Sequence, residues 1–138
     1  MSKLALIFIC FFIHLSCLSD QITDNREFKS FLDVLARVES GGNNKAFNKK
    51  ENAIGIYQIR PAYFKDAQDF DNKLNKYTHN DCYNPEIAGA VVKAYMGRYC
   101  RGGNIEQMAR CHNSGWNWKK KYNLTNKYYQ KFVALSGK

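Results

Sequence analysis

The sequence predicts a mainly α fold of the α+β class, a compact helical domain with a small irregular or β segment near residues 43–60. Three observations predict it. Apolar residues recur at helical spacing in several stretches of the chain. Residues that cap or stop helices stand at the ends of these stretches. One short run, residues 54–59, instead combines β-branched and aromatic residues, which suits a strand or a buried turn.

In the N-terminal half, the first helix is predicted from about Asp24 to Ser40, with Asp24 or Asn25 as its cap. Helical spacing gives it one apolar face, formed by Phe28, Phe31, Leu32, Leu35 and Val38. The glycines of residues 41–43 stop it, and the polar residues 43–53 are expected to form a loop. Pro61 opens a second, short helix through about Ala67.

In the C-terminal half, residues 69–80 are polar and are expected to be irregular. Asn84 and Pro85 begin a helix that continues to Cys100. Three further segments complete the chain: a helix from Asn104 through about Cys111, a loop at residues 112–118, and a last helix from about Thr125 to Leu135.

The first 19 residues have the layout of a secretory signal peptide, so residues 20–138 are expected to form the mature domain. Lys3 is followed by a run at residues 4–15 that is apolar apart from His14 and then by small residues, with cleavage expected after Ser19. The run is shorter than the ~20 apolar residues that a spanning helix needs. Lipid modification of Cys17 is the competing interpretation. We expect a secreted protein, extracellular or periplasmic, with no stable membrane insertion.

The formal net charge of the chain is +9, and loss of Lys3 with the signal peptide lowers it to +8. Such a charge either solvates the surface or attracts an acidic polymer. We expect no nucleic-acid partner, because no nucleic-acid-binding motif is present and a secreted protein seldom meets nucleic acid. Bacterial envelopes are also acidic, and the charge alone does not choose between these interpretations.

Three cysteines lie outside the signal region, Cys82, Cys100 and Cys111. In an oxidising compartment an odd number predicts one disulfide and one free thiol. Cys82 and Cys100 lie at opposite ends of a predicted helix, ~22 Å apart, so Cys111 is the expected partner of either one. A zinc site from His79, Cys82, Cys111 and His112 lacks the usual ligand spacing, and we expect no metal and no cofactor.

Glu39 is the residue whose position says most about chemistry. It lies four residues after Leu35 and seven after Leu32, and therefore on the apolar face of the first helix. It also lies in the last turn, at the negative end of the helix dipole. Both surroundings disfavour an ionised carboxylate, and a protonated acid can donate a proton to a leaving oxygen. The alternative is an acid at a frayed helix end, turned to solvent or paired with Arg37.

Four short motifs follow one another in the order of a known family. Residues 38–43 read VESGGN, and residues 53–61 read AIGIYQIRP. Residues 109–115 read ARCHNSG, and residues 125–128 read TNKY. They resemble the E-S-G-x-N, G-x-x-Q-I-x-P, A-x-x-Y-N-A-G and T-x-x-Y motifs of the soluble lytic transglycosylase-like family, with histidine replacing tyrosine in the third. That family belongs to the lysozyme-like superfamily.

The same blocks also resemble invertebrate-type lysozymes. The positions that match their pattern are residues 57–59, 94–96 with 98–99, 109–110, 112–113, and Thr125 with Tyr128, although most of the dense cysteines of that family are missing. The resemblance covers nearly the whole predicted mature chain, and it implies a lysozyme-like fold and cleavage of glycan strands.

The resemblance also implies roles for individual residues. Glu39 takes the place of the catalytic acid. The matched substrate positions are Tyr57, Gln58, His112, Asn113, Gly115 and Tyr128, the last close to the catalytic centre. Each has a structural alternative, namely a side chain that satisfies buried backbone groups, a core aromatic or a turn residue.

A second carboxylate is the open question of the mechanism. Glycoside hydrolysis usually uses two, whereas lytic transglycosylases work with one glutamate and close an anhydro ring on the sugar. Invertebrate-type lysozymes carry an aspartate before the G-x-x-Q-I segment, and counting back from Gly55 puts Asn48 at that place. Glu51 is three residues nearer and is either its catalytic substitute or a surface acid. Asp66 and Asp69 are more remote candidates.

We therefore expect a monomeric glycosidase that cleaves the β-1,4 bonds between N-acetylmuramic acid and N-acetylglucosamine in peptidoglycan glycan strands, by hydrolysis or by transglycosylation. One alternative is a protein of the same fold that binds peptidoglycan or a chitin-like glycan without cutting it. The presence of Glu39 favours the enzyme. Another is a basic antimicrobial protein that disrupts membranes, which would need a free amphipathic cationic helix.

Overall fold

A computed structural model describes residues 25–137. The chain divides into two compact units, residues 1–31 and residues 32–138. The predicted signal peptide of residues 1–19, its cysteines and the predicted helix start at Asp24 lie outside the described residues. Across residues 25–137 the secondary structure is mainly α-helical with a small antiparallel sheet, which confirms the predicted fold class.

Of the first unit, the structure describes residues 25–31, which are helical. The ring centroids of Phe28 and Phe31 lie 5.9 Å apart on successive turns. Residues 25–40 are all helical and are called α1.

The second unit begins in α1, whose Leu35 and Val38 are buried. The N–H of Gly42 donates to the carbonyl of Ala36 at 3.0 Å. This bond satisfies one of the carbonyls left open where a helix ends. The predicted first helix and its stop at the glycines are therefore confirmed.

A short antiparallel hairpin follows α1. It pairs β1 (Phe47–Asn48) with β2 (Ala53–Ile54), with Phe47 opposite Ile54. Ile54 also forms an antiparallel bridge with Ile59. The predicted β segment, residues 54–59, therefore starts in β2 and then forms a turn that pairs Ile54 with Ile59.

The turn after β2 depends on Gly55. Its φ is +75°, in the left-handed region that favours glycine, and a β-carbon here would collide with the backbone carbonyl of Cys82. The hydroxyl of Ser40, at the end of α1, donates to the carbonyl of Ile56 at 2.8 Å. This hydrogen bond fixes the turn against the helix end that carries Glu39.

The second helix, α2, spans Pro61–Phe70 and so ends beyond Ala67, where the sequence placed its end. The expectation of an irregular stretch at residues 69–80 was also wrong, because two 3₁₀ helices occupy it: Asn72–Lys76 and His79–Tyr83. Short polar side chains cap both of them. Helices held by such local hydrogen bonds need no repeating apolar face, so the apolar spacing of the sequence did not indicate them.

The third helix, α3, spans Pro85–Tyr99 without a break, with Cys100 as its C-cap, as the sequence predicts. The side chain of Asn84 accepts hydrogen bonds from the first turn. Such a cap satisfies N–H groups that have no partner inside the helix. Val91 and Val92 are fully buried on its inner side.

The fourth helix, α4, spans Ile105–Ser114 and begins with a capping box between Asn104 and Gln107. The prediction that it ends near Cys111 and that residues 112–118 form a loop was wrong. The polar run from residue 112 to 114 is helical, and a 3₁₀ turn, Gly115–Asn117, follows. His112 is therefore held on a helix rather than on a loop.

The last helix, α5, spans Asn126–Ser136 and confirms the predicted final helix. Buried Arg110 of α4 anchors the segment leading into it. Its guanidinium pairs with Glu106 and donates to three groups of the following segment: the Tyr122 carbonyl, Thr125 Oγ1 and Asn126 Oδ1. Because α5 carries Tyr128, this anchor also positions the candidate site.

The second unit has one set of fully buried apolar side chains drawn from several elements: Leu35, Ile59, Val91, Val92 and Phe132. Burial of such side chains contributes roughly 1.5–3 kcal/mol each before entropy is counted. In the described part of the chain, no helix combines the length and the apolar character needed to cross a bilayer.

Candidate active site

Glu39 lies at the centre of the candidate site, in the last turn of α1, with 19% of its side chain exposed. Its Oε1 has two neighbours from distant parts of the chain. The hydroxyl of Tyr128 donates to it at 2.5 Å, and Nε2 of His112 lies 3.5 Å away. No hydrogen bond from residues 25–137 engages Oε2, so this oxygen is the one free to meet a substrate.

Tyr128 is held as a hydrogen-bond donor. Burial raises the pKa of Tyr128 well above its ordinary value, and the neighbouring Glu39 carboxylate adds to the shift. The phenol therefore keeps its proton at any physiological pH. On the next turn of α5, Lys131 Nζ donates to the Val38 carbonyl at 2.6 Å. This second contact fixes α5 against the end of α1 and offsets the negative end of its dipole.

His112 is buried and neutral. Burial lowers the pKa of His112, and the nearby Arg60 lowers it further, although Glu39 and the Tyr57 carbonyl act in the opposite direction. Nε2 lies 3.2 Å from the Tyr57 carbonyl, which can only accept a hydrogen bond. The proton of the neutral ring is therefore assigned to Nε2. Its contact with Glu39 is a weak N–H contact and not an ion pair.

Tyr63 completes this assignment from the other side of the ring. Its hydroxyl lies 3.0 Å from His112 Nδ1, and because Nε2 carries the proton, Tyr63 donates and Nδ1 accepts. Burial raises the pKa of Tyr63 well above its ordinary value, which keeps the donor proton in place. The Tyr63 ring stacks on Tyr95 with centroids 3.6 Å apart and planes 10° apart. Rigid packing thus fixes the ring that supports His112.

Sequence reasoning did not single out Tyr63. Its burial on α2 is typical of a core aromatic residue, and its partner His112 is 49 residues away. The signal available was its position two residues after Pro61, directly beyond the matched AIGIYQIRP segment.

The structure places Tyr57 and Gln58 beside the site in different ways. Tyr57 is buried, and its backbone carbonyl, not its hydroxyl, meets His112. Gln58 has φ +50°. Its amide nitrogen donates to the carbonyls of Gly55 and Ala46 at 2.9 and 3.3 Å. These bonds match the structural alternative for Gln58 and leave Oε1 as its atom for a ligand.

Asn113 and Gly115 follow His112 on the other side. The Asn113 carbonyl lies 3.5 Å from a guanidinium nitrogen of Arg60. Gly115 ends α4 with φ +79°, and a β-carbon there would lie 3.2 Å from the Tyr95 hydroxyl. Glycine therefore permits the close approach of this backbone to the tyrosine stack.

Glu51 is joined to this side of the site through Arg60. The carboxylate of Glu51 lies 3.5 Å from Arg60 Nε, and both side chains are about half exposed. Arg60 in turn reaches the Asn113 carbonyl and is close enough to influence both His112 and Tyr128. An exposed ion pair of this kind adds little stability.

The other carboxylate candidates have structural partners elsewhere. Asp66 and Asp69 both face Arg98 at 3.7 Å, and Asp69 also pairs with Lys65. At the position matched to the lysozyme aspartate, Asn48 Oδ1 accepts from the backbone N–H of Lys50 at 3.1 Å and closes the hairpin turn. Each of the three side chains therefore has a contact within the fold.

The two histidines weighed as zinc ligands are committed to other partners. Nε2 of His79 bonds to the Ile59 carbonyl at 2.8 Å, and both ring nitrogens of His112 are engaged. Residues 25–137 contain no group of three or more His, Cys, Asp or Glu side chains placed to hold a metal ion.

Comparison with known families covers the whole of this site, since residues 29–134 match the Destabilase family. This chain is a member of the Destabilase family. It is the family of invertebrate-type lysozymes, which are lysozyme-like glycosidases. Of the two resemblances seen in the sequence, the match supports the invertebrate-type lysozyme. A search of curated proteins found no significant match.

The Destabilase match spans every candidate residue, from Glu39 to Tyr128. The arrangement around Glu39 suits general acid chemistry. When the acid is protonated on Oε2, Oε1 is its carbonyl oxygen and accepts from Tyr128. When the proton leaves, the same donor stabilises the carboxylate that remains.

Proposed function

We propose that this member of the Destabilase family is a secreted muramidase that hydrolyses the β-1,4 bonds between N-acetylmuramic acid and N-acetylglucosamine in peptidoglycan, with Glu39 as the general acid. The observation that carries the proposal is the Glu39 carboxyl group, with Oε1 held by Tyr128 and Oε2 unengaged by residues 25–137. The partner is a part-buried phenol from the last helix, which holds the Glu39 carboxyl group in one orientation.

In the first step, Glu39 Oε2 donates its proton to the glycosidic oxygen as the bond to the sugar breaks. The negative charge that develops on Glu39 is met by the Tyr128 hydroxyl and, more weakly, by Nε2–H of His112. Because His112 is neutral, it adds a dipole to the site without adding a positive charge. Donors fixed in advance stabilise a developing charge without reorganising.

In the second step, water attacks the sugar cation left by the cleavage, and Glu51, as the second carboxylate, accepts the proton that the water loses. Its link through Arg60 to the Asn113 carbonyl supports this role, because it brings Glu51 to the edge of the site. Membership of a family of lysozyme-like glycosidases supports hydrolysis as the reaction. In the competing one-acid reaction of lytic transglycosylases, an internal hydroxyl of the sugar takes the place of water, and Glu51 has no catalytic part.

The substrate is proposed to lie between the hairpin turn and the end of α4. Gln58 Oε1 on the first side and the Asn113 side chain on the second can bond the sugar amide and hydroxyl groups. The net charge, +9 for the full chain and +8 without Lys3, favours association with the acidic bacterial wall, a contribution that salt weakens.

Analysis of reaction products tests the proposal. Purified peptidoglycan is incubated with the protein, and released fragments are identified by mass spectrometry. We expect soluble muropeptides that end in reducing N-acetylmuramic acid. Fragments ending in anhydro-muramic acid would point to the one-acid reaction, and a protein that pellets with the wall but releases nothing would be a binding protein.

A further inference from the structure

We propose that Cys100 and Cys111 form a disulfide bond under oxidising conditions and that Cys82 stays a buried free thiol. The inference is independent of the proposed enzyme activity. All three cysteines are unbridged and buried in the structure. The sequence left open whether Cys82 or Cys100 pairs with Cys111, and the proposal answers that question.

The geometry that carries the proposal is the reversal of the chain between α3 and α4. Cys100 is the C-cap of α3, and the turn through Gly102 and Gly103 folds α4 back along it. The N–H of Gly103 donates to the Cys100 carbonyl at 2.9 Å. A β-carbon on Gly103 would collide with the sulfur of Cys100. This tight turn brings α4 back into contact with α3, and the Cys100 and Cys111 thiols are near enough to perturb each other's pKa.

The two thiols have complementary roles in such a reaction. The hydrogen bond from Cys111, aided by the charge of Lys119, lowers the pKa of the Cys100 thiol. The same hydrogen bond, together with burial, raises the pKa of the Cys111 thiol. Cys100 is 7% exposed and Cys111 is fully buried. Cys100 is therefore the thiol that reacts first, because the thiolate is the nucleophile.

The oxidant is a small-molecule disulfide such as oxidised glutathione. The Cys100 thiolate attacks one of its sulfurs, a mixed disulfide forms, and one glutathione thiolate leaves. Cys111, once deprotonated, attacks the Cys100 sulfur and expels the second glutathione. Two protein thiols are oxidised, one glutathione disulfide is reduced to two thiols, and these take up the two protons.

Cys82 is excluded from the pair by its surroundings. It lies in the 3₁₀ helix His79–Tyr83, beyond the N-terminal end of the unbroken α3 that ends at Cys100. It is fully buried, and burial, with a smaller effect of Asp81, raises the pKa of the Cys82 thiol to about 12. A thiol so protected reacts slowly with disulfides.

Peptide mapping tests the pairing without relying on enzyme activity. The full chain is incubated with oxidised glutathione, its remaining thiols are alkylated, and it is digested with trypsin without reduction. Cleavage after arginine and lysine puts Cys100 in residues 99–101, Cys111 in residues 111–119 and Cys82 in residues 77–93. We expect the first two peptides linked and residues 77–93 alkylated.

Two variants sharpen the test. Cys111→Ser should lose the linked peptide, whereas Cys82→Ser should keep it. A disulfide closing a loop of about 12 residues should also make the Tm of the oxidised protein roughly 10 °C higher than that of the reduced one, in wild type and in Cys82→Ser but not in Cys111→Ser. Alkylated Cys100 and Cys111 after oxidation, or any link to residues 77–93, would overturn the proposal.

Discussion

The hydroxyl of Tyr128 donates a 2.5 Å hydrogen bond to Oε1 of Glu39, across 89 residues of sequence. The bond joins the last helix of the chain to the end of the first one described. It explains how an acid that lies on the apolar side of α1 is held with one oxygen bound and the other unengaged by residues 25–137.

The Tyr128 hydroxyl should therefore contribute to turnover more than to substrate affinity. For Tyr128→Phe we expect kcat on soluble wall fragments to fall roughly 10- to 100-fold, the equivalent of a hydrogen bond to a charged group, with KM little changed. Tyr129→Phe, one residue along α5, is the matched control and should retain full activity. A Tyr128→Phe enzyme as fast as wild type would remove this hydrogen bond from the mechanism.

Tyr63 should fix the tautomer of His112. In wild type we expect nitrogen NMR of the His112 ring to show the proton on Nε2 and an unprotonated Nδ1. Tyr63→Phe leaves Nδ1 buried without its donor, which should cost about 1–3 kcal/mol in the free energy of unfolding and allow the other tautomer to appear. Tyr95→Phe keeps the stacked ring and is the control. If both variants show the wild-type ring spectrum, Tyr63 does not set the tautomer.

The buried His112 should make stability depend on pH. Because the folded-state pKa of His112 is lowered, the unfolded chain takes up a proton first as pH falls. The free energy of unfolding should then decrease as pH falls below about 6.5 and level off below the folded-state pKa, with a slope of at most ~1.4 kcal/mol per pH unit.

The groups that face the His112 ring are Glu39, Tyr57, Arg60 and Tyr63.

Urea unfolding of wild type and His112→Gln between about pH 8 and pH 5 checks this expectation, because groups common to both proteins cancel in the difference. The stability advantage of wild type over the variant should shrink toward low pH. An advantage that grows toward low pH would mean that His112 is charged in the folded protein.

Most of the fold could be predicted from sequence, because helical spacing and caps are local signals. The helix that carries Glu39 and the unbroken α3 are examples. The end of α4 was missed because residues 112–114 are polar, yet the Ser114 hydroxyl bonds back to the Arg110 carbonyl at 2.9 Å and the helix continues to the glycine. A polar run next to a glycine has no apolar residues at helical spacing, so nothing in the sequence indicated that the helix continues.

The site could be predicted only residue by residue. Resemblance to known motifs supplied Glu39, His112 and Tyr128 separately, but not the contacts among them, which join residues far apart in sequence. Arg60 and Tyr63 were absent from the candidates for the same reason. Their partners are a backbone carbonyl and a ring nitrogen on α4, and no spacing rule connects α2 to α4.

The role of Glu51 is tested by Glu51→Gln. If Glu51 is the second carboxylate, hydrolysis should fall at least ~100-fold while the protein still binds wall material. Arg60→Gln, which removes the partner and keeps the carboxylate, should have a smaller effect. Near-normal activity of Glu51→Gln with anhydro-ended products would contradict hydrolysis by two carboxylates and leave Glu39 as the only acid required.

The most direct test of the account is the activity of Glu39→Gln. The amide is nearly isosteric and its oxygen can still accept from Tyr128, but it cannot deliver a proton. We expect clearing of cell-wall suspensions to fall at least ~100-fold with circular dichroism and Tm close to wild type, while Glu86→Gln at the exposed start of α3 clears walls normally. A folded Glu39→Gln protein that clears walls at the wild-type rate would contradict the central claim.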